Sequence, residues 1–584
     1  GAVLAAPGSF TQAREAVYPG TAVAQFAAFY DRRAGLFVGT LDADGHCKRL
    51  QLRTREGVCV EIPFSHLLPE TEGRDAVLPY DVALGAFTGD WMDAADLYKR
   101  WAMGQPWCAK TLARREDVPR FLKEGAGFLV MSIPNEKAQP GEAQRRLDEV
   151  PALMAEYRRR TGFAHMVFVP YGWEGRGTWA GIHYFPTNPS DEAWRKLNAL
   201  LRDQGDYTAF LTSGFWWVIK RKASNNGPAF DDTGEFERRK EMVIHGEEGK
   251  PWLVDAYEDP SGPIGWRGLS ALLCHGSAEA RDTMRRVFLD VARLGTPLIS
   301  FDQEIGGGQL QPCYHRGHGH PPGYGNWMWT GFRDLCAQIL REGKGVQPEL
   351  GLFMENCSEL AIPYMATYWS RQFGEVDHGA VGARGVGLFS YLYHEYVTAI
   401  GAACVQGQGL RGTRPSALLR CRVLANNLTR GLIPGPFLHD VPLEPKSEWH
   451  ALVSQAFFSY ARPYARFPEY LLLGVTRRPP EVVCARVEAG YFTGAAGGQR
   501  VSRTVSLPAV TAGSFEAADG SVGTVLVNGT PERQDAAVRL PHAVAGAVLY
   551  TAEREEERRW DALPAGQEVA LSLEPFGVRM LVTR

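Results

Sequence analysis

Between Thr21 and about Phe87, apolar and polar residues alternate in short runs separated by turn formers, at residues 23–30, 35–39, 48–52, 58–62 and 80–84. Alternation with a period of two puts successive side chains on opposite faces, so these runs predict half-buried strands of an antiparallel sandwich. Asp42-Ala-Asp-Gly45 marks a turn between two of them. Residues 89–101 then carry apolar positions at helical spacing, with Asp90 placed to cap the first turn.

From about residue 127 the rhythm changes. An apolar strand, a loop and a helix repeat, with strands predicted at 127–133, 165–171, 207–212, 297–301, 350–354 and 386–391. Strands that are apolar at nearly every position are buried on both faces, as in a parallel sheet covered by helices. A (β/α)8 TIM barrel is the economical way to close such a sheet, with a doubly wound open sheet as the alternative. No Gly-x-Gly-x-x-Gly follows the first strand and no Walker loop occurs, so nucleotide chemistry has no support. Past about residue 469 only strands are predicted, at 481–487, 501–507, 523–528, 547–551, 568–573 and 577–582, with residues 494–498 as hairpin material. The pattern divides the chain into an N-terminal β-sandwich with a linker helix (1–109), a barrel (110–468) and a C-terminal β-sandwich (469–584).

Charge narrows the partners. With 63 basic and 66 acidic residues the net charge is -3, and no Lys/Arg block would attract nucleic acid or an anionic membrane. Aromatics make up 11% of the 584 residues and include 15 Trp, a load that suits large sheet faces or a groove where sugar rings stack. The ten cysteines are scattered without a Cys-x-x-Cys pair, which argues against a zinc ribbon or a dithiol motif and for buried free thiols. That favours a reducing compartment, but export after removal of a signal peptide would leave the same start, so localisation stays open. Oligomeric state stays open too, since no heptad stands out.

Barrel active sites lie at the C-terminal ends of the strands. Asp302 closes one apolar run and is followed by Glu304 and the glycines 306–308; Glu355 closes the next, with Glu359 one helical turn beyond. Carboxylates at successive strand ends are the minimum equipment of a glycosidase. Other strand ends are expected to supply substrate contacts: Tyr171 and Trp173 with His183 nearby, Trp216 and Trp217, and His394 with Glu395. The segment from Cys313 to Trp327 holds His315, His318 and His320 among glycines and prolines, without the His-Glu-x-x-His helix of a zinc hydrolase. Sugar contacts by His318 and His320, with Tyr324 or Trp327 as a stacking face, are expected there in preference to a metal. A metal site or a purely structural loop remain alternatives.

Several of these segments carry a resemblance. Cys274-His-Gly-Ser277, Phe301-Asp302-Gln303, His318-Gly-His320-Pro-Pro-Gly323, Glu355-Asn-Cys-Ser-Glu359 and Tyr393-His394-Glu395-Tyr396 resemble a glycoside-hydrolase-like barrel family, as does the helix around Gly89-Asp-Trp91 and Trp101. The resemblance covers about residues 20 to 470. More distantly, the order of elements is similar to the endo-α-N-acetylgalactosaminidases. It implies a retaining mechanism, with Asp302 as nucleophile and Glu355 as acid/base, Glu304 and Glu359 competing for the second role. The expected protein is thus a glycoside hydrolase acting on a carbohydrate, needing neither metal nor other cofactor. Asp302 and Glu355 are expected to face each other across the barrel mouth. The alternatives are a catalytically inactive carbohydrate-binding protein, or a metal-dependent carbohydrate enzyme built on the His315–His320 loop.

Overall fold

The computed structural model describes all residues except 1, 5–13, 56–58, 71–74, 178–180, 224–226, 256–267, 303–310, 356, 371–382, 403–413, 436–440 and 495–499. Gln303, Glu304, the glycines 306–308, Asn356 and most of the 494–498 hairpin therefore lie outside the described residues.

Eight parallel strands succeed one another around a single sheet: β1 (Ala126–Ser132), β2 (His165–Tyr171), β3 (Tyr207–Thr212), β4 (Leu298–Phe301), β5 (Gly351–Met354), β6 (Met365–Ser370), β7 (Thr398–Ala402) and β8 (Ile433–Gly435). β8 comes back against β1, where a Cβ at Gly435 would stand 3.6 Å from Phe128 Cβ. The sheet is thereby a TIM-type barrel. Its helices form for local reasons. In Asp191–Asp203, Ser190 accepts the amide of Ala193, and Trp194, Leu197, Asn198 and Leu201 recur at helical spacing on the buried face.

The predicted strand at 386–391 is instead part of the helix Leu388–Tyr393, nearly all of it buried. An apolar run this short has no polar face, so its period cannot separate strand from helix. The strands that complete the barrel are β6, β7 and β8.

Among its described residues, the crossover from β5 to β6 at 355–364 holds one element, the one-turn 3₁₀ helix Glu359–Ala361. The N-terminal sandwich covers the barrel there. Its sheets are Phe26–Tyr30, Gly35–Leu41 and Asp81–Phe87 on one side and Arg14–Tyr18, Lys48–Arg55, Cys59–Glu61 and Phe64–His66 on the other. The 42–45 turn is pressed onto the barrel: Gly45 has φ +72°, and a Cβ on it would meet Trp329 at 2.7 Å and Leu360 at 2.8 Å. The linker helix Trp91–Ala102 starts at Asp90, which accepts the amide of Met92 while Asp93 accepts that of Asp90. It buries Ala94, Ala95, Tyr98 and Ala102.

Between β3 and β4 the chain inserts an antiparallel sheet ordered Phe230–Asp231, Trp216–Arg221, Leu269–Leu272, Leu253–Asp255. After the helix Pro468–Leu471 the described residues form strands only. A six-stranded sheet beginning at Val475–Arg477 faces the three strands Glu481–Cys484, Gln534–Arg539 and Glu568–Leu573 across a core that includes Leu526, Val538, Leu549, Leu571 and Leu581. Among the described residues no helix is long and apolar enough to cross a membrane.

Candidate active site

The parallel register decides which side chains enter the barrel. Phe301 pairs with Met354 and Thr212, and Phe301 packs outward on Phe288 and Phe332 of the surrounding helices. With a period of two, Leu211, Ser300, Asp302 and Glu355 point inward, and the pairing of Met354 with Tyr368 brings in Trp369 as well. These five, with Tyr171 from the end of β2, line one narrow, tightly closed crevice. Asp302 (4% exposed) and Glu355 (9%) are both recessed. The amide of Asp302 donates to the carbonyl of Thr212 at 3.2 Å, so the β3–β4 ladder holds this residue one step past the strand.

The two carboxylates stand side by side on neighbouring strands, each one residue beyond a register pair, and do not oppose one another across the mouth. Adjacent strands run about 4.8 Å apart, which sets the scale of their separation. Two donors beside them are buried without a hydrogen-bond partner among the described residues: Ser300 Oγ and Trp369 Nε1. Orphaned donors of this kind mark a place where a polar ligand or water belongs.

Other expected substrate contacts lie elsewhere. Trp173 is fully buried, donates Nε1 to the carbonyl of Leu211 at 2.8 Å, and packs on Tyr184 and Phe210. Trp216 and Trp217 belong to the inserted sheet, where Trp217 packs on Phe236; their aromatic faces serve packing because the chain continues as a strand there and not as an open loop. His183 Nε2 lies 2.9 Å from Glu235 Oε2. His394 and Glu395 follow a helix, not a strand. The His394 ring packs on Phe515 and turns its nitrogens to the carbonyls of Gly474, Gly431 and Leu471, while Glu395 Oε1 is 3.8 Å from Lys99 Nζ.

Glu359 is enclosed completely. Its Oε1 accepts from Tyr18 (2.9 Å), Tyr98 (2.7 Å) and Gln25 (3.1 Å), and its Oε2 accepts from Tyr393. Burial pushes its carboxyl pKa up, and the four hydrogen bonds oppose that only in part. Gln25 extends the network through its own Oε1 to Lys48 and Thr40, and Lys48 pairs with Asp42.

The histidine loop packs on the inserted sheet, and none of its residues lines the carboxylate crevice. His318 and His320 meet Cys313 and Cys274, the ligating atoms of all four lying within 4.8 Å of one another, and Trp327 stacks on His320 at 3.8 Å. The expectation of sugar contacts from these residues meets a physical obstacle, since their rings are committed to this cluster. Two further groups could hold a cation, Glu241/His245/His315 and His183/Asp232/Glu235. A wider hollow lined by Glu70, His245, Glu247, Tyr314 and His315 contains no residue from a barrel strand end. Trp369 could have been found in the sequence only by recognising β6, and the cysteines only by pairing positions 39 apart.

Known proteins share this frame. A candidate glycoside hydrolase of Bacteroides thetaiotaomicron is 22% identical over 277 residues, 46% of this chain and 35% of its own length, so the match spans about a third of that relative. An α-N-acetylgalactosaminidase from Bifidobacterium bifidum superposes with a TM-score of 0.54 at 14% identity, covering 86% of this chain and 73% of that one. The GH36 α-galactosidase AgaA from Geobacillus stearothermophilus gives 0.53 at 12% identity, over 98% and 72%. These likenesses show the fold, that of glycoside hydrolase barrels. Residues 76–404 match the model of one family throughout, and the chain belongs to that family, the domain of unknown function DUF6259.

Proposed function

We propose that the chain is a glycoside hydrolase whose chemistry takes place between Asp302 and Glu355. One observation carries the reading: two recessed carboxylates at the ends of β4 and β5 share a crevice with Tyr171 and Trp369, at the face where barrel enzymes react. The orphaned Ser300 hydroxyl and Trp369 indole are polar atoms of the kind a sugar hydroxyl satisfies, and the half-buried Tyr171 beside them is an aromatic ring of the kind sugars pack on. The names of the similar proteins point to the same class of substrate.

In the retaining form of the reaction, an Asp302 oxygen bonds to the anomeric carbon as the glycosidic C–O bond breaks. Glu355 gives its proton to the leaving oxygen. Glu355 then takes a proton from water, whose oxygen displaces Asp302 from the anomeric carbon. A carboxyl separation of about 5–5.5 Å goes with retention and one of about 6.5–9.5 Å with an inverting water; the attachment of both groups to neighbouring strands, about 4.8 Å apart, supports the first. A panel of α- and β-linked aryl glycosides, including α-galactosides and α-N-acetylgalactosaminides, tests the reading. Release of the aryl group from one of them is expected, with the first-formed sugar having the anomeric configuration of the substrate. Sugar binding without release across the panel would overturn it in favour of a binding protein, and a product of opposite configuration would replace retention by inversion.

A further inference from the structure

We propose that Cys274, Cys313, His318 and His320 form a tetrahedral Zn²⁺ site that fastens the chain downstream of Asp302 to the inserted sheet. The four come from two places far apart in sequence. Cys274 follows the inserted strand Leu269–Leu272 and precedes the helix Ala278–Ala292, whereas the other three lie in the segment leading to the helix Trp327–Gly343.

Geometry is the first argument. With Zn–S near 2.3 Å and Zn–N near 2.0–2.1 Å, the edges of a tetrahedron are about 3.8 Å between sulfurs, about 3.5 Å from sulfur to nitrogen and about 3.3 Å between nitrogens. Cys274 Sγ lies 3.3 Å from His320 Nε2 and Cys313 Sγ lies 3.4 Å from His318 Nδ1, and no pair among the four ligating atoms exceeds 4.8 Å.

The second argument is the proton on each ring. His318 Nε2 is 2.6 Å from the carbonyl of Glu241, and His320 Nδ1 is 2.7 Å from that of Pro321. A carbonyl can only accept, so each of these nitrogens carries a hydrogen, and in a neutral ring the opposite nitrogen turns a lone pair to the sulfurs. Orientation of a ligating imidazole by a carbonyl on its far side is the usual support of a metal site. The His320 ring is held flat on Trp327, and any side chain at Gly276 would strike it, a Cβ there lying 2.1 Å from His320 Cδ2.

Charge and donor type select the ion. Two thiolates neutralise a divalent cation, which makes burial in the apolar cluster of Cys47, Trp216, Val218, Ile244, Leu272 and Met328 tolerable. A tetrahedral S₂N₂ set suits zinc. All four positions are taken by protein, so the site is closed, as in structural zinc sites, and leaves no position for substrate.

The test is the metal content of the full-length chain purified in reductant, together with Co²⁺ substitution. About one zinc per chain is expected, and Co²⁺ should give the intense visible and thiolate bands of tetrahedral coordination. Cys313→Ser and His320→Ala should lower bound metal below about a tenth of that level, and His315→Asn should leave it unchanged. Because the Co²⁺ spectrum is read on the unaltered protein, a variant that fails to fold does not blunt the test. The proposal is overturned if the reduced protein neither retains zinc nor binds added Co²⁺, if mass analysis finds Cys274 and Cys313 joined as a disulfide in the protein as isolated, or if the metal is lost with His315 and kept without Cys313. None of these measurements needs a glycoside, so they stand or fall apart from the proposed hydrolysis.

Discussion

Glu355 and Glu359 are one helical turn apart in sequence and occupy opposite kinds of environment. Glu355 lies in a crevice beside Asp302, with orphaned donors at hand. Glu359 lies in a sealed polar knot where three tyrosines and a glutamine occupy its oxygens. Both are buried carboxylates, so burial alone does not distinguish a reacting group from a structural one. Unsatisfied donors beside the group do: Ser300 Oγ and Trp369 Nε1 next to Glu355 have polar atoms still to pair, whereas the donors around Glu359 are spent on its carboxylate.

The comparison breaks first at Asp302. Asp302→Ala should lower turnover of every responsive aryl glycoside by at least about 10⁴-fold, with the thermal midpoint nearly unchanged, since no nucleophile remains. Comparable loss of folding would place Asp302 with Glu359 as a structural acid. Glu355→Ala should cost about 10²–10⁴-fold on substrates with poor leaving groups and much less on activated aryl glycosides, a difference read from kcat/KM across a leaving-group series. A flat response would remove Glu355 from the acid/base role and return it to the competing carboxylates.

Glu359→Ala should act in the other sense. Deleting the acceptor of four buried donors is expected to lower stability by about 3–5 kcal/mol in denaturant melts. Glu359→Gln keeps the shape and should cost under about 1.5 kcal/mol while sparing glycoside turnover. Its raised pKa also gives a sign: Glu359 favours the folded state most fully at acid pH, below its unfolded pKa, and that contribution fades as pH climbs through the folded value. The stability cost of Glu359→Gln should therefore be largest in acid and shrink toward neutral pH.

An effect smaller than that of Glu359→Ala is expected at Asp42. Burial alone would push its carboxyl up, but the hydrogen bond from His46 and the charge and hydrogen bond of Lys48 hold it down at about 2. Its contribution, about 2–3 kcal/mol, is present above the unfolded carboxylate range and is lost as pH falls toward 2. Melts of wild type and Asp42→Asn should differ by that amount at neutral pH and converge in acid.

Much of the frame was legible in the sequence, for reasons visible in particular strands. β1 to β5 are apolar at nearly every position, and their strand ends put Asp302 and Glu355 at the face where barrel active sites form. β6 carries Thr367 and Ser370, β7 is mostly small residues and β8 contains Pro434 and Gly435, so none of them announces a buried strand. Helix caps were readable for the same reason as strand ends, being local: Asp90 caps the linker helix as its position predicts. The fates of Trp173, Trp217, His394 and Glu359 were not readable, because each is decided by a partner hundreds or tens of residues away. The meeting of Cys274 with Cys313 is of that kind too.

The cover over the β5–β6 crossover changes what a domain boundary means in this chain. Tyr18 and Gln25 reach Glu359 from the N-terminal sandwich, and a continuous apolar core runs from Tyr18 through the barrel to Val582. The sandwich thus occupies the place where a barrel of this type ordinarily sets a helix. A chain cut at residue 109 would shed what completes the barrel wall beside Glu355, uncovering apolar surface and leaving a buried carboxylate short of donors. Fragments of this protein should be sought by trimming loops, because one apolar core runs across the modules visible in the sequence.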